Sequence, residues 1–194
     1  VVASVNEIAS RAGINAMKNG GNAVDAAVAT ALTLGIVDSY NSGIGGGCFM
    51  LIRTKDGKFI ALDGREMAPA AATRDMFLRD GKADPELSQT GALASGVPGS
   101  LAVYDAALRK AGKLTLREHL LNAAKIAEEG FVVTPRYSRV LQHVAADLLK
   151  FESSRTNFLK DGKPYPAGDI LKQPDLAKTY RAMATNGIGW FYGG

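Results

Sequence analysis

The hydrophobic pattern of the first forty residues predicts two helices of different kinds. Apolar residues from Ile8 to Met17 recur at helical spacing along one stripe, and Gly20 and Gly21 follow as a stop signal. From Ala23 to Leu34 nearly every position is apolar, directly after Asn22, a residue that suits a helix N-cap. Because a helix that is apolar all round lies between other layers, we expect the second helix to be buried.

Two short apolar runs predict a pair of strands joined by a tight turn. The runs Cys48–Arg53 and Phe59–Asp63 flank Lys55–Lys58, which contains the Asp-Gly pair favoured in hairpins. Neither run alternates between apolar and polar residues, and this is the pattern of strands buried on both faces. We therefore expect both faces of this hairpin to be covered.

From about residue 98 onward the pattern predicts a helix-rich remainder. The predicted helices are Ser100–Ala111, Leu116–Glu129, Thr134–Leu149 and Pro174–Ala184. Residues 152–173 are polar and rich in turn-forming residues. No internal repeat or low-complexity tract interrupts the chain, so its length fits a single domain over residues 1–194.

Composition excludes several classes of function. The net charge of +4 comes from scattered cations, whereas a nucleic-acid-binding surface needs a concentrated basic face. No apolar run reaches the roughly 20 residues that span a bilayer. One cysteine and two histidines without ligand spacing predict no metal site and no internal disulfide. The chain shows no leader-like segment, so composition leaves its compartment open.

The segment GIGGGCF, residues 43–49, places Gly45, Gly46 and Gly47 directly ahead of the first predicted strand. A P-loop or a dinucleotide-binding loop precedes a helix, whereas these glycines precede a strand, so no nucleotide cofactor is expected. Their simplest role is to let backbones approach closely. The space that they leave suits another segment of the protein as well as a ligand.

Arg65 lies at the end of the second predicted strand, in the segment DGREMAP at 63–69. A planar guanidinium in this position suits a carboxylate, which it holds with two parallel hydrogen bonds. An internal ion pair with Glu66 or Asp63 explains the same residue equally well. Spacing alone leaves both interpretations open.

Other polar residues have structural explanations, and no complete catalytic set is visible. Cys48 fits a small core residue, Asp25 fits a charge at a helix N-terminus, and Ser95 fits a turn. His119 and His143 each lie in a predicted helix, where a packing or surface role is expected. The sequence therefore identifies no catalytic residue.

Five segments taken together resemble the gamma-glutamyltranspeptidase family. They are GGNAVDAAVA (20–29), GIGGGCF (43–49), LDGREMAPAAAT (62–73), ASGVPGS (94–100) and FYGG (191–194). The resemblance implies an α+β fold, the αββα sandwich of the N-terminal-nucleophile hydrolases, of which this chain forms the front part of the large subunit. It also implies a self-cleaving proenzyme whose small subunit carries a threonine nucleophile. Such an enzyme transfers the gamma-glutamyl group of glutathione or a similar amide to water, an amino acid or a peptide.

The resemblance assigns one substrate contact to this chain. Arg65 matches the family's arginine that holds the alpha-carboxylate of the gamma-glutamyl donor, and Glu66 matches a neighbouring glutamate that supports it. Gly45–Gly47 would let the polypeptide pass beneath the pocket of the nucleophile. The implied partners are the rest of the large subunit and the small subunit, so residues 1–194 alone are predicted to be inactive and poorly soluble. The implied location is periplasmic or extracellular.

One departure from the family leaves the subgroup open. Asp38–Asn41 precede the glycines at a place where related proteins often carry a proline. A glutaryl or cephalosporin acylase of the same fold is therefore one alternative, and related machinery also attaches poly-gamma-glutamate capsules. A noncatalytic scaffold module is another alternative. A threonine at a downstream processing junction would distinguish an enzyme from a scaffold.

Overall fold

Two compact units make up residues 1–193, which are the residues that the computed structural model describes. The first unit contains Val1–Gly43 and the chain from Tyr104 onward, and the second contains Ile44–Val103. The prediction of one domain over residues 1–194 stays a prediction. The last glycine of the FYGG segment lies outside the described residues.

Helices and short antiparallel strand pairs form these units. The helices are α1 (Glu7–Lys18), α2 (Ala23–Val37), α3 (Pro85–Gln89), α4 (Ser100–Ala111), α5 (Leu116–Glu129), α6 (Pro135–Leu148), α7 (Glu152–Phe158), α8 (Pro174–Asn186) and α9 (Ile188–Gly193), with a 3-10 turn at Ala92–Ala94. The strands are β1 (Cys48–Arg53), β2 (Phe59–Gly64), β3 (Leu78–Arg79), β4 (Lys82–Ala83), β5 (Phe131–Val132), β6 (Leu159–Lys160), β7 (Lys163–Pro164) and β8 (Ile170–Leu171). They pair as β1–β2, β3–β4, β5–β8 and β6–β7.

Side-chain caps explain where α1 and α2 begin. The Asn6 side chain accepts a hydrogen bond from a first-turn amide of α1, and the Asn22 side chain accepts two at α2. The Asp25 carboxylate in turn accepts a bond from the Asn22 amide, which completes a capping box. A cap of this kind contributes about 1 kcal/mol. The starts of both helices are therefore set by local sequence.

The core of the first unit surrounds α2, which runs on to Val37, beyond the predicted end at Leu34. Leu32 and Ile36 of this helix have no exposed surface. The Tyr180 hydroxyl of α8 donates a hydrogen bond to the Leu32 carbonyl at 3.1 Å, and the Gln173 amide donates one to the Ile36 carbonyl at 2.8 Å. The prediction that the second helix is buried is confirmed.

The predicted later helices are confirmed, with small differences at their ends. α4 and α5 have the predicted bounds, and α6 and α8 differ by a turn or less. α8 continues to Asn186 because Gly187, with a φ of 78°, supplies the left-handed residue that ends it. The polar region between residues 152 and 173 folds into α7 and the short strands β6 to β8.

The second unit is built on the β1–β2 hairpin, whose register runs from Cys48 opposite Gly64 to Arg53 opposite Phe59. The prediction that both faces of this hairpin are covered is wrong for these residues. Burial alternates along both strands, and Phe49, Leu51 and Phe59 expose 69%, 69% and 65% of their surfaces. The described residues cover one face of the ribbon and leave the apolar residues of the other face open.

Candidate functional site

Three segments of the second unit meet beside the end of β2. The first is Gly45–Gly47, the second is Gly64–Met67 and the third is Gly96–Ser100. Met67 and Val97 form an antiparallel bridge between the second and third segments, with N···O distances of 3.2 and 2.8 Å. The segments come from three of the five regions that resemble the gamma-glutamyltranspeptidases, so the fold brings these regions together.

Glycines allow the backbones of the three segments to approach closely. The Gly46 carbonyl accepts hydrogen bonds from the amides of Gly99 and Ser100, both at 3.1 Å. A Cβ atom at Gly47 would lie 2.6 Å from the Gly64 carbonyl oxygen, and one at Gly99 would lie 2.3 Å from the same oxygen. Real Cβ atoms do not make contacts this short, so side chains are excluded at both positions. The predicted passage of Gly45–Gly47 beneath a nucleophile's pocket stays a prediction.

Arg65 is an exposed residue with one ion pair among residues 1–193. Its side chain is 66% exposed, and its Nη1 atom lies 3.3 Å from Oε2 of Glu66. Its backbone amide donates a hydrogen bond to the Asp63 carboxylate at 2.9 Å. A guanidinium carries five N–H donors, and this ion pair involves only one nitrogen of Arg65. Other donors therefore remain for a ligand. The structure therefore contains the internal pair of one interpretation and also leaves Arg65 open to a ligand.

Glu66 is more enclosed than Arg65, since 30% of its side chain is exposed. Its Oε2 atom is buried and makes no hydrogen bond within the described residues, although Nη1 of Arg65 is near. The pKa of Glu66 lies below its usual value because its own backbone amide, the positive charge of Arg65 and the backbone amide of Gly47 favour the carboxylate, which outweighs the opposing effect of burial. Glu66 is therefore an anion beside Arg65.

The remaining candidates from the sequence do not form a catalytic set. Cys48 is partly buried, and burial raises the pKa of its thiol, which keeps the sulfur in its less reactive form. Ser95 and His143 are exposed. Among residues 1–193, no group of His, Cys, Asp and Glu side chains is arranged to hold a metal ion. The same residues include no helix with the length and hydrophobicity to cross a membrane.

Asp25 and His119 form a buried pair in the first unit that the sequence interpretation missed. Asp25 has no exposed surface, His119 is 2% exposed, and the His119 Nε2 atom lies 3.2 Å from the Asp25 Oδ1 atom. The carboxylate also accepts hydrogen bonds from the amides of Asn22, Lys113 and Leu114 at 2.8, 3.0 and 2.9 Å. Burial raises the pKa of Asp25, but these bonds outweigh it and lower the pKa overall. The one signal in the sequence was a histidine on the apolar face of a predicted helix.

The segment that departs from the family, Asp38–Asn41, has a packing role in the structure. The hydroxyl groups of Ser39 and Tyr137 are 2.5 Å apart, and the Tyr40 ring contacts the Tyr137 ring edge-on, with centroids separated by 5.3 Å. Burial raises the pKa of Tyr137 to about 12, so this phenol stays neutral. The segment that follows α2 is thus held by α6.

Known proteins match this chain over its whole length. The family model for Gamma-glutamyltranspeptidase matches residues 9–194. The chain is 44% identical over 196 residues to a glutathione hydrolase proenzyme of Escherichia coli. That alignment covers all of this chain and 34% of the proenzyme. It superposes on a Helicobacter pylori gamma-glutamyltranspeptidase crystal structure with a TM-score of 0.96 and 40% identity, covering 100% of this chain and 56% of that one. A cephalosporin acylase from Bacillus halodurans gives a TM-score of 0.80 and 27% identity, covering 95% of this chain and 35% of that one.

These matches test the predicted fold and family. The structural neighbours are N-terminal-nucleophile hydrolases, and the predicted α+β class is confirmed. The chain spans about a third of the length of the curated relatives that it matches. The five segments quoted above lead to the same family as the match over residues 9–194. The chain belongs to the gamma-glutamyltranspeptidase family.

Proposed function

We propose that this chain is part of an enzyme that cleaves gamma-glutamyl amides such as glutathione and transfers the gamma-glutamyl group to water, an amino acid or a peptide. The observation that carries the proposal is the match of the whole chain to glutathione hydrolases and gamma-glutamyltranspeptidases. Because the chain spans about a third of those curated relatives, the activity is proposed for the complete protein and not for residues 1–194 alone.

In this proposal, Arg65 holds the alpha-carboxylate of the gamma-glutamyl donor. Its exposed side chain supports this role, as does the presence of one ion-pair partner, Glu66, in the described part of the chain, since donors remain for a second carboxylate. A hydrogen bond between charged groups contributes about 1.5–3 kcal/mol. When the alpha-carboxylate is held in place, the gamma-carbonyl carbon lies at a defined distance from Arg65. A nucleophile can attack efficiently only when that carbon is positioned in this way.

The nucleophile itself is proposed to lie on a small subunit. A threonine freed by self-cleavage attacks the gamma-carbonyl, and its own alpha-amine accepts the hydroxyl proton. The acyl-enzyme then reacts with water or with an amine acceptor. Residues 1–193 contribute charge and position to this reaction, and the chemistry of an acyl-threonine intermediate requires no metal or organic cofactor.

The rest of the large subunit and the small subunit are the proposed partners. The open face of the β1–β2 hairpin supports this, because Phe49, Leu51 and Phe59 place apolar surface in water unless another layer covers it. In sandwich folds, a second sheet packs against such a face. We expect the complete protein to bury these three side chains.

A periplasmic or extracellular location is proposed from family membership. The described residues contribute no membrane-crossing helix. Fractionation of the native host, with the activity measured in each fraction, tests the location directly.

The test of the function uses the full precursor and a gamma-glutamyl anilide. Arg65→Ala should raise KM about 10- to 150-fold, the equivalent of one charged hydrogen bond, while self-cleavage proceeds as in the wild type. Arg74→Ala is the matched control, because Arg74 is a nearly fully exposed arginine of the same unit. An unchanged KM in Arg65→Ala would remove the site assignment, and a wild-type precursor without activity would support the scaffold alternative.

The acylase alternative is not favoured by the comparisons, since identity to the cephalosporin acylase is 27% against 40% for the gamma-glutamyltranspeptidase. A glutaryl group differs from a gamma-glutamyl group by lacking the alpha-amine. We therefore expect the complete protein to cleave a gamma-glutamyl anilide much faster than a glutaryl anilide. Faster turnover of the glutaryl anilide would contradict the proposal.

A further inference from the structure

The Glu66 side chain occupies a slot formed by three glycines, Gly46, Gly47 and Gly96. A Cβ atom at Gly47 would lie 2.7 Å from Oε2 of Glu66, and one at Gly46 would lie 3.4 Å from Oε1. A Cβ atom at Gly96 would lie 2.9 Å from the Cβ atom of Glu66. The slot therefore borders both the carboxylate and the first carbon of the Glu66 side chain, 30% of which is exposed.

Backbone hydrogen bonds fix the walls of this slot. The Met67–Val97 bridge holds the segment of Gly96 against the strand end that carries Glu66. The carbonyl of Gly46 is held by the amides at the start of α4. Because the walls are backbone and not flexible side chains, the position of the Glu66 carboxylate is determined within narrow limits.

The enclosed carboxylate is the partner of an exposed guanidinium. Arg65 has a long, flexible side chain, and its Nη1 atom contacts the buried Oε2 atom of Glu66. A flexible arginine loses conformational entropy when it binds a ligand, and prior fixation lowers that loss. An anion whose movement is limited by neighbouring backbone restricts an arginine more than a solvated surface anion does.

We propose that the glycine slot positions Arg65 through Glu66, so that Gly96 and Gly47 are positioning residues for binding of the gamma-glutamyl donor. This inference rests on the proposed role of Arg65 and adds the residues that determine the direction of its guanidinium. Neither glycine contacts the donor. The slot explains why the segments at 45–47 and 94–100 lack side chains at the points facing Glu66.

Gly96→Ala is the sharpest probe of this inference. The new methyl group would press on Cβ of Glu66, and its next neighbour is the Met67 carbonyl oxygen at 3.3 Å. Gly47→Ala would also strike the Gly64 carbonyl oxygen of the hairpin, so its effect on stability is larger. In the full precursor, Gly96→Ala should raise KM for the gamma-glutamyl anilide on the order of tenfold with kcat changed much less. Gly189→Ala, whose Cβ atom would meet no neighbour among residues 1–193, is the control and should leave KM unchanged.

A double-mutant cycle separates this inference from the proposed function. If Gly96 acts through Arg65, Gly96→Ala should produce no further rise in KM when it is added to Arg65→Ala. Equal effects of Gly96→Ala in both backgrounds would overturn the inference and leave the role of Arg65 intact. An unchanged KM in Arg65→Ala alone would remove the proposed site and this inference with it.

A second variant covers the case in which Gly96→Ala does not fold or self-cleave. Glu66→Asp withdraws the carboxylate by one methylene group from both Gly47 and Arg65 and adds no volume to the slot. It should raise KM in the wild-type background and have no effect in the Arg65→Ala background. Additive effects in this cycle would overturn the inference in the same way.

Discussion

Asp25 in the first unit and Glu66 in the second are carboxylates with similar neighbouring groups. They differ in burial and in how completely they are hydrogen-bonded. Both have a lowered pKa, both lie close to backbone amides, and each faces a nitrogen-bearing side chain, His119 or Arg65. Asp25 is fully buried, and hydrogen bonds from three amides and the histidine surround it. Within residues 1–193, Glu66 keeps one carboxylate oxygen, Oε2, without a hydrogen bond, and it faces an exposed arginine.

The difference separates a structural carboxylate from one suited to binding. Around Asp25, every partner lies within the unit, so the group joins α2, the segment at 113–114 and α5. Around Glu66, the negative charge faces Arg65, whose side chain is 66% exposed. A saturated buried network stabilises the fold, whereas an incompletely paired cation at the surface retains capacity for a ligand.

The largest expected effect is on stability and comes from the buried carboxylate. Asp25→Ala leaves the amides of Lys113 and Leu114 and the His119 ring without their acceptor, and should lower the free energy of unfolding by about 3–5 kcal/mol. Urea denaturation of the complete, processed protein measures this. Glu7→Ala, which removes an exposed first-turn acid of α1, is the control and should cost less than about 1 kcal/mol. Equal losses for the two variants would contradict the comparison.

Neighbouring glycines should differ in the sign of their effect on stability. Gly47→Ala forces a methyl group against the Gly64 carbonyl oxygen and the Glu66 carboxylate, and should destabilise the protein by about 1–3 kcal/mol. The methyl group of Gly45→Ala meets no neighbour in the described residues, and this variant should be neutral or stabilise by about 0.4–1 kcal/mol, because alanine restricts the unfolded chain. Thermal unfolding of both variants provides the measurement. An unchanged stability in Gly47→Ala would contradict the close approach at Gly47, and destabilisation by Gly45→Ala would contradict the open space at Gly45.

The smallest expected effect is in the pH dependence of stability. Because the pKa of Asp25 is lower in the folded than in the unfolded protein, its stabilisation is fully present above the unfolded pKa. That contribution is lost as the pH falls through the folded pKa. In acid, the unfolding free energy of Asp25→Asn should therefore fall less steeply with decreasing pH than that of the wild type. Denaturant titrations at several pH values between 3 and 6, roughly the carboxylate range, measure this. Unfolding free energies of wild type and variant that fall with the same slope would contradict the assignment.

Local signals in the sequence predicted most helices and the hairpin. In the structure, α2 begins at a capping box of Asn22 with Asp25, and α5 begins at one of Thr115 with Glu118. Each of these features depends on residues within one turn of each other. For that reason, they can be identified without knowledge of the fold.

The pairs that define the sites depend on contacts that no local pattern reveals. Asp25 and His119 are separated by 94 residues, and the sequence showed them as a helix-terminal charge and an ordinary helical histidine. In the sequence, Gly96 is only one glycine of the segment ASGVPGS. The structure shows that the Met67–Val97 bridge brings it close to Glu66. The sequence also did not predict that one face of the β1–β2 hairpin is open within the described residues. A strand shows the same apolar pattern whether the layer that covers it belongs to these residues or to another part of the protein.

The sequence by itself determined the family, the buried character of α2, the boundaries set by caps and glycines, and Arg65 as a residue able to bind a carboxylate. Only the tertiary structure decided which carboxylate is saturated and which is not, and which glycines face Glu66. The physical reason is range: helix caps and turns are formed by neighbours along the chain, whereas burial and ion pairing depend on segments brought together by the fold.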